Sequence, residues 1–143
     1  MATVSDSRRA VLALLLGACV LPSCGKKTHR SYSGDPLPRE RVAILREYRQ
    51  PTSLLAPITG EVKQPSTYIQ TVDDMGMLRT VREVELLPGK HRVLAVAYLE
   101  LSGTSQRIEP GTVEFEAVAG RVYELRCEML DRKWVYVVRE VRD

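Results

Sequence analysis

The chain has 143 residues, room for one ordinary domain rather than two. At 44% hydrophobic and 27% charged it has the make-up of a folded protein in contact with water, which excludes wholesale disorder and a bundle of membrane spans. Its net charge of +3 is mildly basic and raises nucleic acid as a partner, a question settled by where the charges sit.

Residues 1–18 read as an export signal. A short polar start ends in Arg8-Arg9, and an unbroken apolar and glycine run follows from Ala10 to Ala18. The apolar stretch Ala10–Leu21 is shorter than the roughly 20 residues that a spanning helix needs. Leu15-Leu16-Gly17-Ala18-Cys19 has the order of a bacterial lipobox: apolar residues, a small residue, then cysteine. The chemistry requires that order, because the thiol takes a diacylglyceryl group and the peptidase then cuts before it, where only small side chains fit. Leu21-Pro22-Ser23-Cys24 is an alternative. Pro22 stands where the pattern excludes proline, but Gly25-Lys26-Lys27 makes a suitably polar start for a mature chain. Cys19 is the assigned lipidation site, with Cys24 left open. Ser7-Arg8-Arg9-Ala10-Val11-Leu12 also resembles part of a twin-arginine signal, yet the leucine-rich run favours the general secretory route. Neither residue two places after a candidate cysteine, Leu21 or Lys26, is Asp. By the sorting rule of enteric bacteria this points to the outer membrane, facing the periplasm.

Residues 19–40 are polar and proline-punctuated, without a period of 2 or 3.6, and are expected to form a flexible tether in which His29 is a solvated surface residue. Residues 41–143 form the domain. Arg41–Glu47 is a first short apolar run. Thr67–Val72 is a second, closed by Asp73-Asp74-Met75-Gly76, with Gly76 the residue free to take the turn. Val81–Leu87 alternates, Pro88-Gly89 breaks it, and His91–Leu101 returns as a long strand, so the pair reads as a hairpin. A loop at Ser102–Ser105 and a turn at Pro110-Gly111 lead into Thr112–Val118. Ala119-Gly120 turns into Val122–Leu130, whose Tyr123, Leu125, Cys127 and Met129 share a face. Asp131-Arg132 turns once more into Trp134–Val141. About seven short strands with regular turns predict an all-β fold, a small antiparallel sandwich.

Val84-Glu85-Leu86-Leu87-Pro88-Gly89-Lys90-His91-Arg92-Val93 resembles the recurring hairpin of PEGA-like modules, and Phe115-Glu116-Ala117-Val118-Ala119-Gly120-Arg121-Val122-Tyr123 resembles their next piece. With Trp134 in the last strand, the chain is similar to uncharacterised lipoproteins that carry one such module after a lipobox. The resemblance spans about Thr67–Val141, implies a small antiparallel sandwich of Ig-like, PEGA-like or transthyretin-like type, and carries no catalytic residues. One departure is Val72-Asp73-Asp74, where a Val-Asp-Gly turn is common.

Motifs for phosphate, dinucleotide, zinc or nucleophilic chemistry do not occur, so no enzyme activity, cofactor or metal is expected. His91 and the Asp73-Asp74 pair read as structural. Cys127 reads as a buried small hydrophobe, with pairing to Cys24 left open. Two segments are candidates for partner binding. One is Leu54, Leu55 and Ile58 in the proline-rich stretch 50–66. The other is Trp134, Tyr136 and Val138 in the last strand, which is apolar on both faces and so either central in the sandwich or an edge that meets a partner.

The charges then fall into place. Residues 1–18 carry +1, residues 19–40 carry +2, and the domain is neutral. Basicity therefore belongs to export and to a tether beside an anionic membrane, and no nucleic-acid partner is expected. The expectation is a protein held to the envelope membrane by its N-terminal lipid, working through an envelope protein partner, with a small ligand-binding or inhibitor role for the 50–66 loop as the alternative.

Overall fold

The computed structural model describes residues 28–50, 64–77, 81–101 and 103–142. Nine strands are present among them: β1 (Thr28–Arg30), β2 (Ala43–Glu47), β3 (Ser66–Val72), β4 (Met75–Gly76), β5 (Glu83–Leu86), β6 (Gly89–Leu101), β7 (Thr104–Ala117), β8 (Val122–Leu130) and β9 (Lys133–Val141). They form an all-β sandwich. One sheet has the order β1-β5-β2-β8-β9 and the other β4-β3-β6-β7. Side chains of alternating polarity put Leu45, Val72, Val84, Leu86, Val93 and Leu125 between the sheets, all fully buried. Each contributes roughly 1.5–3 kcal/mol on leaving water.

Strand β2 explains the uninterrupted apolar run at its start. Ala43 and Leu45 face the inter-sheet core, whereas Val42 and Ile44 join Val122 on the outer side of the sheet. Tyr32 and Leu37 lie over that outer cluster. The strand is thus covered on both faces. It also makes the first sheet mixed rather than purely antiparallel, since β2 runs parallel to β8 and β1 parallel to β5.

The fold begins earlier than the expected boundary at residue 41. Thr28–Arg30 pairs along β5, and Tyr32 donates a hydrogen bond from its hydroxyl to Glu85 Oε2 at 2.8 Å. A single 3₁₀ turn, Arg39–Arg41, then leads into β2. The segment lacks periodicity because only Thr28–Arg30 forms a strand, and the rest is a cover in which Tyr32 and Leu37 lie over the outer cluster.

Two turn signals mean something else in three dimensions. Pro88-Gly89 does not close a hairpin: β5 belongs to the first sheet and β6 to the second, so the chain crosses the sandwich there, with Gly89 at φ +135°. Pro110-Gly111 is no turn either. Strand β7 runs straight through it, and the pairing shifts from Ala95–Gly111 to Ala97–Ile108, leaving Glu109 and Pro110 as a bulge opposite Val96. Proline has no N–H to donate, which a bulge on an edge strand accommodates. The long hairpin is β6–β7.

The other turns lie where the pattern put them, with one difference of detail. Asp73 and Asp74 themselves adopt left-handed backbone (φ +48° and +67°), as do Asp131 and Arg132 (+48° and +63°). Both are two-residue loops of the kind that fits the twist of paired strands, and Gly76 lies in β4 instead. Met129 also departs from its expected face: Tyr123, Leu125 and Cys127 are buried, but Met129 is 50% exposed. Strand β2 stops at Glu47, level with Leu125, so the β8–β9 hairpin continues past it without a third strand alongside.

Candidate functional site

Strand β9 is the edge of its sheet, not a central strand. Its candidate residues nevertheless turn inward. Val138 and Tyr136 pack on the main core, while Trp134 and Tyr136 pack on Ala97, Ile108 and Cys127. The Tyr136 hydroxyl donates to the Glu109 carbonyl at 2.9 Å, joining β9 to the β7 bulge across the sandwich. Burial pushes the Tyr136 phenol up to about 12 and the Cys127 thiol up to about 11. Cys127 is free and buried. This layer closes the sandwich.

Leu54, Leu55 and Ile58, with both lipidation candidates Cys19 and Cys24, lie outside the described residues. The ends of the 50–66 stretch are described and are joined: the Gln50 amide donates to Ser66 Oγ at 3.2 Å. Beside them opens a groove of ≈ 550 Å³ lined by Glu47, Arg49, Tyr68, Gln70, Met77 and Tyr98, among others. Arg49 lies over the Tyr68 ring at 4.4 Å, and Tyr68 meets Tyr98 edge-on.

Glu47 is the unusual member of that groove. Its side chain is 2% exposed, Oε2 accepts from Arg49 and Oε1 accepts from the Ile69 amide, both at 2.9 Å. Burial raises the carboxyl above its usual range, against the opposing pull of the Ile69 amide and of Arg49. The arrangement has a structural cause. After β2 the chain turns onto the edge of β3, where Tyr48 O accepts from Thr67 N and Glu47 takes the next outward-facing amide. Sequence reasoning missed this site, because an acidic residue at a strand end carries no sign that it will be buried.

His91 and Asp73, read as structural, are brought together. His91 Nδ1 lies 2.5 Å from Asp73 Oδ2 and Nε2 lies 2.7 Å from the Leu87 carbonyl, so the ring is clamped between two oxygens. Partial burial opposes ionisation of Asp73, yet the Arg92 amide and the His91 ring hold its carboxyl below the usual value. The clamp ties the β3–β4 turn to the Pro88-Gly89 crossing. Among the described residues no three His, Cys, Asp or Glu side chains gather as a metal site, and no helix is long and apolar enough to cross a membrane.

Large apolar side chains are exposed at both ends of the sandwich: Met75, Leu87 and Val118 beside the Pro88-Gly89 crossing, and Leu101, Met129 and Leu130 at the hairpin tips. Leu101 at the tip of β6–β7 is 43% exposed, and Met129 and Leu130 at the tip of β8–β9 are 50% and 60% exposed. Comparison with known proteins found no matching family model, no matching curated protein and no matching solved structure.

Proposed function

We propose that this chain is a lipid-anchored protein of the bacterial cell envelope, held at the outer membrane on its periplasmic side, whose β-sandwich makes structural or protein–protein contacts. The observation that carries the reading is Leu15-Leu16-Gly17-Ala18-Cys19 at the end of a short apolar run. The sequence likeness of the 115–123 segment to PEGA-like modules supports it, whereas the 84–93 segment crosses between the sheets instead of forming the hairpin it resembles. The spacing also supports it, because a folded unit already starts at Thr28. Between Cys19 and that strand the only charges are those of Lys26 and Lys27, suited to an anionic headgroup layer. No catalytic step is assigned.

The test is mass spectrometry of the mature N-terminal peptide, where a diacylglyceryl group is expected on Cys19, or on Cys24 if cleavage falls later. Unmodified cysteines at both positions overturn the reading. Cross-linking in native membranes then identifies the partner.

One observation favours a second reading, that of a small ligand-binding or inhibitor lipoprotein: the groove lies where the ends of the 50–66 loop meet. A small molecule that raises the melting temperature of the wild-type protein but not of Tyr98→Ala would establish it.

A further inference from the structure

The geometry points to the two hairpin tips, Leu101 on β6–β7 and Met129-Leu130 on β8–β9, as a surface that docks onto the lipid bilayer. This rests on the lipid-anchor reading and deepens it by assigning the face that the anchored domain turns toward the membrane.

The first observation is that the two tips form one surface. Leu99 and Trp134 pack together with the buried Ala97, Ile108 and Cys127, so the outer halves of both hairpins are joined. One step further out, Leu101, Met129 and Leu130 stand exposed at the same end. Arg107, Arg132 and Lys133 are exposed around them, against Glu100 and Asp131. Apolar side chains at strand ends, beside three basic and two acidic exposed residues, suit a layer in which headgroups meet acyl chains.

The second observation is where the anchored chain arrives. Thr28 lies opposite Glu83, Glu83 opposite Arg46, and Arg46 opposite Glu124, so these four share one level of the sheet. Strand β8 rises from Glu124 to Leu130, six residues on, which is about 20 Å. Strand β1 runs the opposite way, since it is parallel to β5, which is antiparallel to β2, which is parallel to β8. The chain therefore enters β1 from the side of the tips. Nine residue steps separate Cys19 from Thr28, a reach of roughly 30 Å at full extension. The lead is long enough to pass the tips and too short to hold the domain far from the lipid. A membrane holding Cys19 meets the tips before any other end of the sandwich.

Trp134 is the only tryptophan in the chain and pairs across the strands with Met129, so the surface carries its own reporter. The mature full-length protein is reconstituted into vesicles of phosphatidylethanolamine and phosphatidylglycerol whose acyl chains are brominated near the headgroup. Docking predicts loss of Trp134 fluorescence relative to unbrominated vesicles, and recovery of that fluorescence in the Leu101→Glu, Leu130→Glu double variant. Both positions are exposed, and circular dichroism checks that the variant is folded. A chain that mass spectrometry shows to be lipidated, but whose wild-type emission is the same in both vesicles, overturns the docking and leaves the anchor standing; the tips would then be free for a protein partner. A chain lipidated on neither cysteine overturns the anchor and the docking together.

Discussion

The Tyr136 ring lies against Gly111 so closely that a Cβ on residue 111 would stand 2.5 Å from Tyr136 Cδ2. The β7 bulge and the β9 edge strand are thereby fitted to one another. Gly111 is used here for its lack of a side chain rather than for a left-handed backbone. Gly111→Ala is expected to cost about 1–3 kcal/mol, because the ring must swing away and give up its bond to the Glu109 carbonyl. In a Tyr136→Ala background the same substitution is expected to cost much less, and urea midpoints of the four proteins in that cycle measure the coupling.

Glu47 predicts a pH effect of unusual sign. Its folded carboxyl titrates above the unfolded one, so the stability it contributes is complete below the unfolded value and is lost as pH rises through the folded value. Glu47→Gln has no proton to lose. Its stability relative to wild type is therefore expected to improve as pH rises from about 4 through the folded value, as read from urea midpoints across a pH series.

Asp73 runs the other way. Its folded carboxyl titrates below the unfolded one, so its contribution is present above the unfolded value and fades as pH falls through the folded value. Asp73→Asn is expected to be less stable than wild type near neutral pH, and the gap is expected to close as pH falls below about 4. A gap that stays constant with pH would show the Asp73 bonds to His91 and Arg92 to be indifferent to its charge.

Arg132 occupies left-handed backbone at φ +63° without glycine's freedom. Arg132→Gly is expected to stabilise the β8–β9 hairpin by roughly 0.5–1 kcal/mol, a gain visible as a higher melting temperature.

Cys127 is fully buried and its thiol is pushed up to about 11. Thiol reagents are expected to leave it untouched in the native protein and to label it fully in denaturant, as counted by mass spectrometry.

Much of the fold was legible because side-chain alternation is a local property. The face of β5 follows from it, as does that of β8 as far as Cys127, and so does the all-β class. The sheet to which a strand belongs is not local. Pro88-Gly89 marks a bend whether the next strand folds back alongside β5 or crosses to the other layer, and only the burial of Leu86 and Val93 on opposing sheets distinguishes the two. Pro110 likewise reads as a break until β6 is seen to supply a continuous partner around it. The cover made by Tyr32 and Leu37 has no period to read, and the Glu47 groove depends on a turn of the chain that its own residues do not announce. For the last strand, hydrophobicity on both faces left open whether it is central or an edge; it is an edge, and Trp134, Tyr136 and Val138 pack inward.

The pairing order has a consequence for how the molecule is assembled. Strands β1 and β2 come first in the chain, yet their neighbours are β5 and β8, with Ile44 waiting for Val122. No early fragment closes a core of its own, and the long loops drawn shut by the last strands make folding slow compared with sheets built from successive hairpins.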